Sequence, residues 1–400
     1  MLAVRISIVA VMLVLAAGCS AETLSAGTPA PSARSSTAVA PTTSPSTTAE
    51  TTTTPTSSTS ASPGAGIGGF VALIETMASR DEFSGAALIG HGEDVVWETA
   101  AGLANRELNL PNLSDTRFNL GSMNKMFTAV AILQLREQGQ LALDDTIAAY
   151  LPDYPNDEVA GSITIHQLLT HTSGLGDVFT AEFNADPHAY RSNRDYLPLF
   201  ADAPLLFDPG AGWSYSNAGY VVLGLIIERI SGRTYDAYVR EHIFEPSGML
   251  STSAYDIDEE IPNLAIGYTT QDAEGNETGV LTANTALMPG RGFAAGGGYS
   301  TTGDLFRFRN ALLSNKLLNP SSIDLLTTGK ADMAEGVRYA YGFMDKVNKG
   351  RRVVGHSGGA PGVCSFFWVF PESGYTAILL SNSDGGYRSV LQYLKDNPLE

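Results

Sequence analysis

Hydrophobic and polar positions at the start of the folded sequence predict a helix followed by a β-hairpin. Residues 70–78 carry apolar side chains at helical spacing. Two strand-like runs follow, 86–91 and 94–101, and they are joined through Gly92. The N-terminal part of the domain therefore contributes both a helix and strands.

The rest of the chain has a helical middle and a strand-rich end. From about 120 to 250, helical patterns alternate with loops rich in proline and glycine. Runs at 351–355, 363–370 and 375–382 alternate with turn signals at 358–359 and 371–374, and a short helix at 389–396 ends the pattern. This order predicts an α/β (α+β) fold, in which one central antiparallel sheet is flanked by helices and an all-helical lobe is inserted.

The first 18 residues have the pattern of an export signal. Arg5 precedes a short apolar run, and small residues lead into Cys19. The end of this segment resembles a bacterial lipobox, although Ala16 stands where leucine is commonest. The resemblance implies a lipoprotein signal peptide at 1–18 and a lipid on Cys19. An ordinary signal peptide and an uncleaved anchor are the alternatives, but the run is shorter than the ~20 residues of a spanning helix.

Residues 19–65 are mostly Ser, Thr, Pro and Ala. Such a composition cannot bury enough apolar surface to offset chain entropy, so it predicts a disordered stalk. The stalk fits either an unmodified spacer or an O-glycosylated one. Residues 66–400 are then predicted to form a single folded domain.

Composition excludes some classes of function. The chain is 44% hydrophobic and 16% charged, which suits a globular domain with a sizeable core. A formal net charge of -18 opposes binding to nucleic acid. The two cysteines, Cys19 and Cys364, fall in segments with different predicted fates, so no disulfide is expected, and Cys364 is predicted to be an inert buried thiol.

The strongest chemical feature is a serine and a lysine at the start of a predicted helix. Ser122 and Lys125 are spaced i and i+3, so they share one face. The following residues, 126–135, are apolar on nearly every face, which predicts a helix buried in the core. A hydroxyl at the positive end of a helix dipole, next to an amine, is a candidate nucleophile with its base.

Two later segments, Tyr215-Ser216-Asn217 and His356-Ser357-Gly358, follow this pair in the chain. Together with Ser122-x-x-Lys125 they resemble the three motifs of the penicillin-binding-protein and serine β-lactamase superfamily. The likeness covers about residues 68–385. The nearest groups are class C β-lactamases, D-Ala-D-Ala carboxypeptidases, D-aminopeptidases and family VIII esterases.

The resemblance implies a β-lactamase/transpeptidase-like fold and a role for each matching residue. Ser122 would form an acyl-enzyme after Lys125 accepts its proton. Tyr215 would donate a proton to the leaving group, and Asn217 would orient substrate and Lys125. Ser122 and Gly359 would offer backbone N–H groups to the oxyanion, and Gly358 would let substrate approach closely on an edge strand.

His356 departs from the lysine that most β-lactamases carry at this place. A histidine carries a positive charge for a substrate carboxylate only when it is protonated, so this departure disfavours β-lactamase activity. His166 and His171 would not point toward one metal on a helix and are predicted to be structural. The glycines at 292–298 predict a plain loop in front of a helix capped by Ser300 or Thr301.

These observations predict an extracytoplasmic serine hydrolase that acts on a peptide, amide or ester without a metal or organic cofactor. A D-Ala-D-Ala carboxypeptidase-like cell-wall enzyme and a family VIII-type esterase are alternatives within this class. A catalytically silent wall-binding lipoprotein is the alternative from another class. The expected partners are a small-molecule or peptidoglycan-derived substrate and the membrane, through the lipid on Cys19; the oligomeric state stays open.

Overall fold

A computed structural model describes residues 65–385 and 387–399. The predictions for residues 1–18, for Cys19 and for the stalk up to residue 64 lie outside the described residues. Among the described residues, no helix is long and apolar enough to cross a membrane.

The strands fall at both ends of the described chain. They are β1 Gly85–His91, β2 Asp94–Ala101, β3 Leu103–Asn105, β4 Leu110–Pro111, β5 Phe118–Asn119, β6 Tyr268–Gln271, β7 Glu277–Ala283, β8 Tyr299–Ser300, β9 Ala331–Ala334, β10 Val337–Tyr339, β11 Met344–Asn348, β12 Arg351–Ala360, β13 Val363–Phe370 and β14 Tyr375–Ser381. Eight of them form one antiparallel sheet in the order β2-β1-β14-β13-β12-β11-β10-β9. The prediction of one sheet built from both ends of the domain is confirmed.

The helices fill the middle of the domain and flank the sheet. They are α1 Ala65–Ser79, α2 Asn124–Glu137, α3 Asp157–Ser162, α4 Ile165–Thr170, α5 Ala181–Ala185, α6 Asn193–Tyr196, α7 Asn217–Ser231, α8 Tyr235–Val239, α9 Glu245–Ser247, α10 Thr302–Leu313, α11 Pro320–Thr327 and α12 Tyr387–Asp396. Short 3-10 turns and one π-helical turn, at 240–244, connect several of them. The predicted helical lobe between the two groups of sheet strands is confirmed.

Alternating side chains of the sheet create two cores. On one face, Phe366 and Trp368 of β13 pack with α1 and α12. On the other face, Phe367 and Val369 pack with α2, α7 and α10. This alternation follows from the two-residue period of a strand. The sheet is therefore buried on both sides, and the helical lobe lies on the second face.

Helix α2 runs through the larger core, as its apolar pattern predicts. Eleven of its fourteen residues are buried. Phe127 meets the rings of Phe244 and Phe308 at centroid distances of 5.0 Å each, and Phe308 lies 6.1 Å from Phe367 on the sheet. The start of α2 is thus held between the lobe and the sheet.

Strand β12 differs from the prediction. The glycines at 358–359 were predicted to form a turn, but β12 continues to Ala360 and the chain turns at 361–362. It was also predicted to be an edge strand, yet it lies inside the sheet between β13 and β11. Its pairing with β11 stops at Gly355, whereas its pairing with β13 continues to Ala360. From His356 onward, the β11 side of the strand is therefore open to contacts with segments outside the sheet.

Replacing Phe308 with Ala should destabilise the domain, because the substitution leaves a cavity where α10, α2 and the sheet meet. Phe308 is fully buried, so the expected loss is about 3–5 kcal/mol in the free energy of unfolding. Denaturant unfolding of the purified protein measures this loss. Leu313→Ala on the same helix, at a side chain 46% exposed, is the matched control and should cost less than about 0.5 kcal/mol. Equal losses would contradict the assignment of this core.

Candidate active site

Ser122 lies in a tight turn just before α2. The prediction placed it in the first turn of the α-helix, but residues Gly121–Met123 form a 3-10 turn and the α-helix begins at Asn124. Gly121 has φ +50°, and a Cβ there would come within 2.8 Å of the Gly359 nitrogen. The turn therefore requires glycine and carries Ser122 alongside β12.

Lys125 is fully buried directly below Ser122. Its Nζ lies 3.3 Å from Ser122 Oγ and 2.6 Å from both Asn217 Oδ1 and the Ala295 carbonyl oxygen. All three of these partners are neutral. The rings of Tyr215 and Tyr220 complete its surroundings, with centroids 4.8 and 5.4 Å from Nζ.

These surroundings set the protonation of Lys125. Burial disfavours the ammonium and lowers the pKa of Lys125 to about 7, while the charge of Asp177 acts in the opposite direction. A lysine with this pKa has a large neutral fraction at physiological pH. Lys125 can then accept a proton from the Ser122 hydroxyl that it contacts.

Asn217 is the first residue of α7, and Asp177 holds its side-chain amide. The amide nitrogen donates to both carboxylate oxygens of Asp177 at 3.1 Å. Sequence reasoning identified Asn217 but missed Asp177. The only signal was a single carboxylate in the loop 174–179, which is otherwise small or apolar.

Tyr215 presents a buried hydroxyl to the same space. Its oxygen has no hydrogen bond of ordinary geometry among the described residues, although the Ser122 side chain lies close enough to act on its pKa, which it lowers. Burial dominates and raises the pKa of Tyr215 above its usual value. The hydroxyl therefore stays protonated and can donate a proton.

His356 is a buried, neutral imidazole. Its Nδ1 lies 2.5 Å from the Ser357 carbonyl oxygen, which can only accept, so Nδ1 carries the proton. Nε2 then accepts from the Tyr339 hydroxyl at 2.9 Å. Burial and the neighbouring charge of Lys125 lower the pKa of His356 to about 3. His356 offers no positive charge at neutral pH.

Gly358 and Gly359 bring β12 against the nucleophile turn. A Cβ on Gly358 would lie 1.9 Å from the Leu120 carbonyl oxygen, so this position admits no side chain. The close approach that requires Gly358 is thus internal, whereas the sequence predicted an approach by substrate. Gly359 N lies beside Gly121, and Ser122 lies in the first turn of the 3-10 helix, where backbone N–H groups have no partner within the helix. Two donors of this kind can bind an oxyanion.

The loop that contains Gly292 to Gly298 belongs to the site. It was predicted to be a plain loop, but its Ala295 carbonyl accepts from Lys125, and Gly297 N–H donates to Gly121 O at 3.3 Å. Sequence offered no signal for a backbone contact of this kind. Thr301 caps the following helix through Asp304 N–H, as predicted.

His171, His166 and Cys364 were predicted to be structural or inert, and each has its own contacts. His171 is buried and accepts from Ser216 N–H at 3.1 Å, and its ring lies tilted against the ring of Tyr215 with centroids 4.3 Å apart. His166 instead contacts the Tyr341 hydroxyl at 2.8 Å. Burial raises the pKa of the Cys364 thiol to about 12, as expected for an unreactive cysteine. In the described part of the chain, no group of His, Cys, Asp or Glu could hold a metal ion.

Comparisons with known proteins identify the family of this chain. The β-lactamase family model matches residues 70–396. Penicillin-binding protein 4* of Bacillus subtilis (strain 168) is 33% identical over 329 residues, which cover 78% of this chain and 71% of that protein. Esterase EstB of Burkholderia gladioli is 28% identical over 349 residues, with 77% and 88% covered.

A solved structure gives the same fold. The D-stereospecific amidohydrolase from Streptomyces sp. superposes with a TM-score of 0.70 at 28% identity, and the match covers 81% of this chain and 97% of the other. The predicted β-lactamase/transpeptidase-like fold, with its antiparallel sheet and flanking helices, is confirmed. The chain belongs to the β-lactamase family and is a serine hydrolase related to the penicillin-binding proteins.

Proposed function

We propose that this protein hydrolyses a small peptide, amide or ester outside the cytoplasmic membrane, through an acyl-enzyme on Ser122. One observation carries the proposal. Lys125 lies 3.3 Å from Ser122 Oγ with only neutral hydrogen-bond partners, so it is suited to accept the serine proton at neutral pH. A protein that only binds cell-wall material would have no use for a buried lysine in this state.

The acylation step follows from the placement of the groups. Ser122 Oγ forms a bond to the substrate carbonyl carbon as its proton moves to Lys125. The N–H groups of Ser122 and Gly359 stabilise the oxyanion. The bond from carbon to the leaving nitrogen or oxygen then breaks, Tyr215 gives its proton to this atom, and the proton that Lys125 took from Ser122 passes to Tyr215. Water then attacks the acyl carbon and gives one proton to Lys125, and this proton returns to Ser122 Oγ as the ester bond breaks.

His356 bears on the choice of substrate. A neutral imidazole gives no fixed cation for a substrate carboxylate, which disfavours the rapid β-lactam turnover that a lysine at this place would support. The related amidohydrolase and esterase, by their names, act on amides and esters. We favour a peptide or amide, such as a peptidoglycan stem peptide, and keep a small ester as the second candidate because a related protein is an esterase.

The proposed location rests on the N-terminal sequence. Cys19, after the lipobox-like residues, would carry a lipid that holds the protein to the outer face of the cytoplasmic membrane, and the stalk of residues 19–65 would separate the lipid from the domain. A domain anchored in this way would lie near peptidoglycan. The peptidoglycan-derived substrate and the membrane are therefore the proposed partners.

Labelling with a fluorophosphonate tests the acyl-enzyme directly. We expect a single adduct by intact-mass spectrometry, absent in Ser122→Ala and Lys125→Ala. Because Lys125 must be neutral, the labelling rate should fall about tenfold per pH unit below its pKa of about 7. Ser322→Ala, a buried serine on α11, is the matched control and should label normally. No adduct with the natural sequence would favour the silent wall-binding protein.

The protonation of His356 is a second expectation. Long-range nitrogen NMR of the imidazoles should show one ring that stays neutral and protonated on Nδ1 from pH 5 to 8, because its pKa is about 3. That signal should vanish in His356→Gln, and it should stay protonated on Nδ1 in Tyr339→Phe, because the Ser357 carbonyl still accepts from Nδ1 when the donor to Nε2 is removed. A ring that gains a proton near pH 6.5 would contradict this assignment and restore a conditional site for carboxylates.

A further inference from the structure

Asp177 is held rigidly in the loop between α4 and α5, behind the site. Its Oδ1 accepts from the backbone N–H groups of Val178 and Phe179 at 2.7 and 3.3 Å. Its two oxygens also accept from the side-chain nitrogen of Asn217, and Oδ2 accepts from the Asn217 backbone N–H at 3.3 Å. The carboxylate is thus fixed by its own loop and directed at one residue.

This contact decides which way the Asn217 amide points. A carboxylate only accepts hydrogen bonds, so it must face the amide nitrogen. The amide oxygen is then turned toward Lys125, where it accepts from Nζ at 2.6 Å. The reversed amide would place oxygen against the carboxylate and nitrogen against the lysine, and both contacts would be lost.

Asp177 also supplies charge to the surroundings of Lys125. Its charge raises the pKa of Lys125, against the larger effect of burial. The other titratable groups that surround Lys125 are neutral, since burial raises the pKa of two tyrosines and lowers the pKa of two histidines: Tyr215, Tyr220, His171 and His356. Burial raises the pKa of Asp177 as well, while the hydrogen bonds that it accepts from Asn217 and Phe179 and the charge of Lys125 favour the carboxylate. Among the described residues around Lys125, Asp177 is the acidic group whose charge acts on the lysine.

We propose that Asp177 is a positioning residue for acylation, which fixes the Asn217 amide against Lys125 and adds a negative charge to the surroundings of that lysine. The inference rests on the proposed function, because it concerns the base that takes the Ser122 proton. Asp177 does not contact Ser122 in the structure and acts through its two neighbours. Through these contacts, the loop 174–179 affects the proton transfer between Ser122 and Lys125 at the start of α2.

Loss of the Asp177 charge and loss of the Asn217 orientation should change the pH profile of the labelling rate in different ways. In Asp177→Asn the negative charge is lost, so the pKa of Lys125 falls and the acidic limb of the labelling rate moves to lower pH. The plateau rate should fall about 10²-fold, because the Asn217 amide is no longer held in one orientation. Asp177→Glu retains the charge and the acceptors, so its limb should stay near that of the natural protein while the plateau partly recovers.

The experiment measures fluorophosphonate labelling of the full chain from pH 5 to 9, with circular dichroism and thermal unfolding as checks of folding. Asp145→Asn is the matched control, since Asp145 likewise accepts from a backbone N–H, of Ala142, and from a side chain, of Tyr150, but lies outside the site. It should leave both limb and plateau unchanged.

The outcomes separate this proposal from the proposed function. A folded Asp177→Asn protein with a lower plateau and a limb at lower pH supports the positioning role. A folded variant that labels like the natural protein, or that loses rate without any shift of the limb, overturns it and leaves the acyl-enzyme mechanism intact. If Asp177→Asn does not fold, the limb of Asp177→Glu decides, and a limb well away from the natural one overturns the proposal. Absence of labelling in the natural protein would instead reject the proposed function.

Discussion

The chemistry of this protein depends on one constraint, which is that the amine of Lys125 is buried with only neutral hydrogen-bond partners. Removing an ammonium from water is costly unless it is paired, so the neutral amine is favoured. Hydrogen bonds to Asn217 and Ala295 and the rings of Tyr215 and Tyr220 hold the amine in place without neutralising a charge. A group that would be a cation on the surface becomes a base beside Ser122.

The fold serves this constraint by bringing distant segments to the start of α2. The sheet contributes β12, whose Gly358 allows contact with Leu120, and the lobe contributes Asn217 at the start of α7. The core around Phe127 and Phe308 fixes α2 between them. Because the amine is satisfied only where these segments meet, its burial and the packing of the domain are linked.

The sequence predicted those features that depend on residues close together in the chain. The hairpin, the buried helix and the i, i+3 pair of Ser122 and Lys125 follow from periodicity, and the structure has them. Contacts between segments far apart in sequence left no such signal, so Asp177 and the Ala295 carbonyl were missed. The end of β12 was misjudged because glycine usually interrupts a strand, whereas at Gly358 it allows a close approach of backbone.

The central claim is tested most directly by observing the Lys125 side chain itself. The chain has only six lysines, so nitrogen-15 NMR of labelled lysine can follow each Nζ through a pH titration. Lys346, whose pKa burial also lowers to about 7, is assigned by Lys346→Met, and Lys125 by Lys125→Ala. We predict that the Lys125 signal titrates near pH 7. A Lys125 that keeps its proton until about pH 10, the range of an ordinary lysine, would contradict the account.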